Sequence, residues 1–432
     1  MKVQIHSKKQ IKPFTPTPSN LNQHNLSFID ELAPKMYAPV ILYYPCPENI
    51  TDKHLFSWTC MLQLETSLSK TLVQFYPLAG RYNKRLQFVD CNDKGVEFIE
   101  ASVDCHLQEI LPRGEKLDSR LFNNFIPCEA LVVDEAMHPL LAIQVTVFKC
   151  GGLAIGVCIS HRIADAATLS MFLEAWGAIT NLNKNENQQE GIKRIFPCFD
   201  SAVYFPKRGL PHLNFEAFTS PGCKIVTKRF TFDNKAISTL RANIPPDTRP
   251  TSKLQLVIAV IWKALLGAEK LKNEHSRATH IMQPVNLRNK NTTPVVHKHC
   301  FGNLCILASV PLMAAENAEI HDLAVQLSNS VKGSLEGWTR MMSLDTNDPV
   351  LENVIKNMVN YYMISSWSGF PFYETDFGWG KPVWASSVYF PCKNMILLMD
   401  NKKGDGFDAW VSLEETDMTI FEQDFNIQAF TS

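Results

Sequence analysis

The chain has 432 residues, 45% hydrophobic and 20% charged, with a formal net charge of −1, which is enough apolar material for a large core and not the charge pattern of a nucleic-acid or polyanion binder. At roughly 100 to 200 residues per domain two or three domains are expected, and an ordinary content of Gly and Pro excludes collagenous and low-complexity chains. The longest uninterrupted apolar run, residues 256–262, falls well below the roughly 20 residues that span a bilayer, so no membrane span is expected.

The first segment, MKVQIHSKKQIKPFTPTPS, is basic and Pro-rich and lacks the apolar stretch of a signal peptide. The chain ends in AFTS rather than a peroxisomal SKL. Twelve cysteines are scattered without a CxxC pair and read as small buried hydrophobes. A reducing cytoplasm fits these facts. Residues 61–75 place Leu64, Leu68, Leu72 and Phe75 at helical spacing, and Pro77 with Gly80 ends the pattern at YPLAGR. Two strand-like runs, 140–150 and 153–160, are joined at Gly151-Gly152 and read as a hairpin. The second runs into HRIAD at 161–165, after which residues 166–179 restore a helical period.

Residues 181–222 hold a polar run and many breakers, the pattern of a long connector between two halves. A strand over 225–232 and a helix from Lys253, capped by Thr251 or Ser252, then open a second unit. Strands and helices alternate irregularly, so the class is mixed α/β or α+β.

His161 is the residue most suited to chemistry. It stands at the end of a buried strand, and imidazole exchanges a proton near neutral pH. The alternative is a structural histidine satisfied by a backbone carbonyl. Asp165 either orients the imidazole as in a triad or turns away to hold the turn through an Arg. Ser160 is a poor nucleophile for His161, because adjacent strand residues point to opposite faces and no GxSxG surrounds it. His297, His299 and Cys300 superficially resemble a metal cluster, but no second ligand pair accompanies them, so no metal is expected. Asp376, Gly378, Trp379 and Gly380 form a compact glycine turn of the kind that needs positive φ or close backbone approach, with the carboxylate free to bond its own backbone.

Together, HRIAD at 161–165 and DFGWGKP at 376–382 resemble the two signature motifs of the BAHD family of plant acyl-CoA-dependent acyltransferases. YPLAGR at 76–81, NLR at 286–288, FGN at 301–303 and SSW at 365–367 extend the likeness over nearly the whole chain. The opening KPFTPTPS and VDCNDKGVEF at 89–98 look most like the branch of alkaloid and terpenoid acetyltransferases. The resemblance implies two similar-sized, chloramphenicol-acetyltransferase-like domains with mixed sheets and flanking helices, joined by a long crossover. These would be residues 1–200, carrying His161 and Asp165 and completed by about 376–395, and residues 225–432, carrying the DFGWG segment, with 201–224 between them. It also implies a solvent channel between the domains with His161 near its middle, and an Asp165 that points away from it to pair with Arg288.

The implied reaction has His161 take the proton of an acceptor hydroxyl as its oxygen attacks the thioester of acyl-CoA, most readily acetyl-CoA, without an acyl-enzyme. Trp379 would be either an indole donor to the oxyanion or a structural ring, and Asp376 either a second active-site residue or, preferably, the fixing residue of its loop. No bound cofactor is called for, since acyl-CoA is a co-substrate. In the absence of a P-loop its phosphates would meet Ser252 and Lys253 at a helix start, or Lys402 and Lys403. The acceptor expected is a bulky terpenoid, triterpenoid or alkaloid alcohol and the protein a monomer. An acyl-CoA thioester hydrolase, a transferase for sugars, phenolics or amines, and a catalytically silent binding protein are the alternatives.

Overall fold

A computed structural model describes residues 1–111, 118–129, 138–184, 195–209, 222–244, 252–272, 280–315, 317–342 and 361–431. Much of the predicted connector, and Thr251, lie outside the described residues. The chain forms two compact units. One comprises residues 1–212, 297–304 and 370–388, and the other comprises 213–296, 305–369 and 389–432. The DFGWG turn therefore belongs to the first unit, and so does the short 297–304 segment.

In the first unit a six-stranded sheet runs in the order Val3–Ile11, Val96–Val103, Leu141–Phe148, Leu153–Ser160, Tyr37–Tyr44, Trp384–Ser386. All its pairings are antiparallel except that of Val96–Val103 with Leu141–Phe148. The predicted hairpin pairs Leu141 with Ile159 and Val147 with Leu153. Every residue of Leu153–Ser160 and of Tyr37–Tyr44 is buried, which is why these strands read as continuous apolar runs rather than alternating ones. Gly156 in the central strand is fitted to a neighbour, since a β-carbon there would stand 1.9 Å from the Phe125 carbonyl oxygen. A small sheet of Gln23–Asn25, Phe88–Asp90 and Arg81–Asn83 completes the unit.

The helix predicted over 61–75 begins earlier, at Lys53, where the Asp52 carboxylate accepts from Leu55 N–H, and Leu64, Leu68 and Leu72 are fully buried along it. It packs with the helix Ala166–Lys184 through a buried polar seam. Trp176 Nε1 donates to Ser67 Oγ at 3.0 Å, and Thr180 Oγ1 donates to the same hydroxyl at 2.7 Å.

The second unit holds another six-stranded sheet, ordered Cys305–Pro311, His280–Asn286, Tyr361–Ser366, Met395–Asp400, Phe407–Glu414, Ile225–Phe232. Both pairings of Tyr361–Ser366 are parallel. The helix Lys253–Glu269, capped by Ser252, one of the two expected caps, lies in the core among Ile281, Tyr362, Ile396, Leu398 and Ala409. Trp262 contributes both bulk and a hydrogen bond there, from its Nε1 to Leu312 O at 2.9 Å. Among the described residues no helix is long and apolar enough to cross a membrane.

Candidate active site

The ladder that carries the Leu153–Ser160 strand extends one residue beyond its end, because His161 N–H donates to Met36 O at 2.8 Å. This fixes the His161 backbone where the chain leaves the sheet. Four residues on, Asp165 closes the turn. Its Oδ1 accepts from Thr168 N–H at 2.9 Å, the bond of a helix N-cap, and its Oδ2 accepts from Leu304 N–H at 3.0 Å. Asp165 is buried, and a buried carboxylate needs such donors. Ser160, the residue before His161, is fully buried. Arg162 stacks its guanidinium 4.1 Å above the ring of Tyr82, the residue after the YPLAGR segment.

The position on Nδ1 that a triad carboxylate would occupy is taken by Asn303, whose Oδ1 lies 3.0 Å from it. Asn303 Nδ2 donates to Asp30 Oδ1 and to the His161 carbonyl oxygen, both at 2.8 Å. Turning the amide over would set its oxygen against a carboxylate and a carbonyl, so the atom facing the imidazole is an acceptor. His161 Nδ1 must then carry the hydrogen, which leaves the Nε2 lone pair of the neutral ring free to accept a proton. Asp30 is itself held from both sides. Asn303 N–H reaches Oδ1 at 2.8 Å, while Ser27 N–H and Oγ–H reach Oδ2 at 2.8 and 2.7 Å. Burial pushes the Asp30 carboxyl above its ordinary pKa, and these donors from Asn303 and Ser27 pull against that shift.

His161 remains partly exposed. Desolvation holds its pKa below the ordinary histidine value, opposed by its own backbone carbonyl, the Asp165 charge and the Asn303 hydrogen bond. A neutral imidazole at neutral pH, with one tautomer enforced, is the state a general base requires.

Asp376 is placed differently. Its Oδ1 accepts from Gly378 N–H at 2.7 Å and Gly380 N–H at 3.0 Å. Both glycines have positive φ, 95° and 110°, so the turn needs them and the carboxylate ties it. Phe377 is fully buried, its ring 4.8 Å from Trp176 and stacked at 5.6 Å on Trp379. Among the described residues the buried Trp379 indole N–H meets no acceptor. The 166–184 helix touches this turn at Gly177, where a β-carbon would stand 3.2 Å from the Asp376 carbonyl oxygen. Asp165 caps the same helix about 18 Å away along its axis at 1.5 Å per residue. The two motifs therefore meet through one helix, and Asp376 is not brought to the imidazole.

In the second unit Ser252 Oγ accepts from Gln255 N–H at 3.2 Å and Lys253 Nζ donates to Gly404 O at 2.7 Å. The four residues considered for CoA phosphates thus lie together, with Lys402 and Lys403 exposed in that turn. Arg288, the expected partner of Asp165, also lies in this unit, where its Nη1 donates to Asn286 Oδ1 at 3.2 Å. His297 Nδ1 accepts from His299 N–H at 3.1 Å, so it organises its own loop.

Sequence reasoning missed Asp30 and Asn303 as site residues. Ser27 and Asp30 were legible as a capping box, S-x-x-D before an apolar stretch. Nothing local says that the outer oxygen of that Asp serves a residue 273 positions away.

The profile of the Transferase family matches residues 1–428. The chain is 33% identical to a pelargonidin 3-O-(6-caffeoylglucoside) 5-O-(6-O-malonylglucoside) 4'''-malonyltransferase of Salvia splendens, covering 98% of both chains. It is 34% identical to stemmadenine O-acetyltransferase of Catharanthus roseus, covering 98% of this chain and 97% of that one. The crystal structure of vinorine synthase, an enzyme of Rauvolfia serpentina, superposes with a TM-score of 0.80 at 31% identity, over 100% of this chain and 99% of the other.

Proposed function

The chain belongs to the Transferase family of BAHD acyl-CoA-dependent acyltransferases, and we propose that it moves an acetyl group from acetyl-CoA to a hydroxyl of a bulky terpenoid, triterpenoid or alkaloid, with His161 as the general base. The observation that carries the chemistry is the forced tautomer. Asn303 leaves Nε2 as the only basic nitrogen of a ring whose pKa is held low by burial. On this reading Nε2 takes the acceptor's proton as its oxygen attacks the thioester carbonyl. The proton passes on to the CoA thiolate as it leaves, and no acyl-enzyme forms. General-base help of about 10²- to 10⁴-fold is the usual scale for such a residue.

Asp165, Asp30 and Asn303 are positioning residues in this scheme, and Asp376 with Gly378, Trp379 and Gly380 fixes a turn on the same helix. Ser252, Lys253, Lys402 and Lys403 are the proposed contacts of the CoA phosphates. The acceptor class rests on relatives whose names state stemmadenine and limonoid acetylation. The Salvia relative acts as a malonyltransferase, so malonyl-CoA is the donor to run beside acetyl-CoA.

The test incubates purified protein with each donor and a pool of hydroxylated terpenoids and alkaloids, following thiol release and the mass of the acceptor, with His161→Ala alongside. Acceptor-dependent thiol release with a gain of one acetyl group, lost in the variant, is expected. Equal thiol release without acceptor would make the protein a thioester hydrolase instead.

A further inference from the structure

Three residues before Asn303, Cys300 is fully buried and pairs with Cys198 in an isolated parallel bridge. Cys198 N–H donates to His299 O at 2.9 Å, and Cys198 O accepts from Phe301 N–H at 2.8 Å. Those two bonds put the cysteines in strand register. Neighbouring strands run about 4.8 Å apart, inside the roughly 4.4–6.8 Å separation of α-carbons that a disulfide spans. The Cys300 hydrogen bond draws the Cys198 pKa below the ordinary thiol value with help from His297, against burial and the Asp200 charge. Cys198 is partly exposed. An accessible, thiolate-prone sulfur therefore lies over a buried second thiol, the arrangement of a reactive and a resolving cysteine.

Movement of Cys300 would reach the active site through a stiff loop. The Phe199 and Phe301 rings pack at 5.3 Å. Gly302, with φ at +121°, is pressed against Ser201, whose Oγ would stand 3.1 Å from a β-carbon there. Gly302 O accepts from Thr168 Oγ1 at 2.9 Å. The next residue is Asn303.

We propose that Cys198 and Cys300 form a peroxide-reactive dithiol whose closure to a disulfide shifts the 300–303 loop and lowers turnover by disturbing the Asn303 contact with His161. The Cys198 thiolate attacks peroxide, breaking its O–O bond and releasing hydroxide. The resulting sulfenic acid is attacked by the Cys300 sulfur, and water leaves with the thiol proton. Two thiols and one peroxide thus give one disulfide and two waters. The turnover half of the proposal rests on the acyltransferase reading, whereas the disulfide half does not.

The full chain is treated with hydrogen peroxide, its remaining thiols are alkylated, and the digest is mapped without reduction. The expected product joins the Cys198 and Cys300 peptides, two hydrogens lighter than their sum. Turnover should fall about tenfold, the low end of what loss of a positioning contact costs, and dithiothreitol should restore both. Cys198→Ser should work normally when reduced and resist peroxide, and Cys300→Ser should stop the oxidation at sulfenic acid. The proposal is overturned if the linked peptide is absent while other thiols oxidise, if it forms with turnover unchanged, or if peroxide inactivates Cys198→Ser equally. A protein that forms the link and transfers no acyl group would refute the functional reading and leave the dithiol standing.

Discussion

The HRIAD segment and the DFGWG turn both meet the helix Ala166–Lys184, and their aspartates do the same kind of work. Asp165 holds the amides of Thr168 and Leu304, and Asp376 holds those of Gly378 and Gly380. The reach of the two motifs differs. The DFGWG carboxylate satisfies its own turn within four residues. His161 is fixed by Asn303, which is 142 positions away in sequence and is set in turn by Asp30. A motif can thus be a self-contained structural knot or the visible end of a long-range network, and its sequence alone does not say which.

The sharpest break between the two comes from removing the proposed base, His161. His161→Ala should lower turnover by about 10²- to 10⁴-fold while the fold is kept. On the proposed general-base reading the same histidine sets the pH dependence. Its pKa lies below the ordinary value because burial disfavours the charged ring. The base is then active above that lowered pKa and is lost as pH falls through it, so the acid limb of kcat/KM should sit below about 6.5. A limb above that value would mean that the imidazole is not desolvated in the working enzyme.

Asn303→Ala probes the long-range half. Without its acceptor the ring is free to rotate and to carry its proton on Nε2, so turnover should fall about tenfold to hundredfold while KM for acyl-CoA stays close to that of the unaltered protein. A change in KM alone would mean that the residue binds substrate rather than orienting the base.

How much of this was legible follows from the range of the interactions. The 225–232 strand, the hairpin turn at Gly151-Gly152 and the Ser252 cap are local, and the structure has them where the residues place them. The apolar spacing places the start of the first long helix eight residues late, because Lys53 to Cys60 expose Leu55 and Trp58, which blurs the period. His161 was found because a histidine at a strand end is a local pattern. Asn303 entered only as part of FGN, since its role exists only once Asp30, His161 and the 297–304 segment are folded together.

The DFGWG side should register in stability first. Asp376→Ala removes two hydrogen bonds to a charged acceptor and should cost about 2 kcal/mol, read as a lower denaturation midpoint at unchanged m. Asp376→Asn keeps an acceptor and should cost less. Loss of turnover as deep as that of His161→Ala at an unchanged midpoint would show that the turn takes part in chemistry, and the distinction between the two motifs would fall.

The smallest effect tests whether the knot is tied from outside as well. Tyr44 is buried in the central sheet, and its hydroxyl donates to Thr375 O at 2.9 Å, one residue before Asp376. Burial drives its pKa well above the ordinary phenol value, with the Asp376 charge adding to the shift, so this hydroxyl stays protonated and a donor. Tyr44→Phe keeps the ring against Phe377 and strands one buried carbonyl, at a cost of about 1 kcal/mol. In the double variant with Asp376→Ala, a sum of the two single losses would mean that sheet and carboxylate hold the turn independently. A smaller combined loss would mean that once the carboxylate is gone the turn has already pulled away from the sheet, making Asp376 the contact on which the other depends.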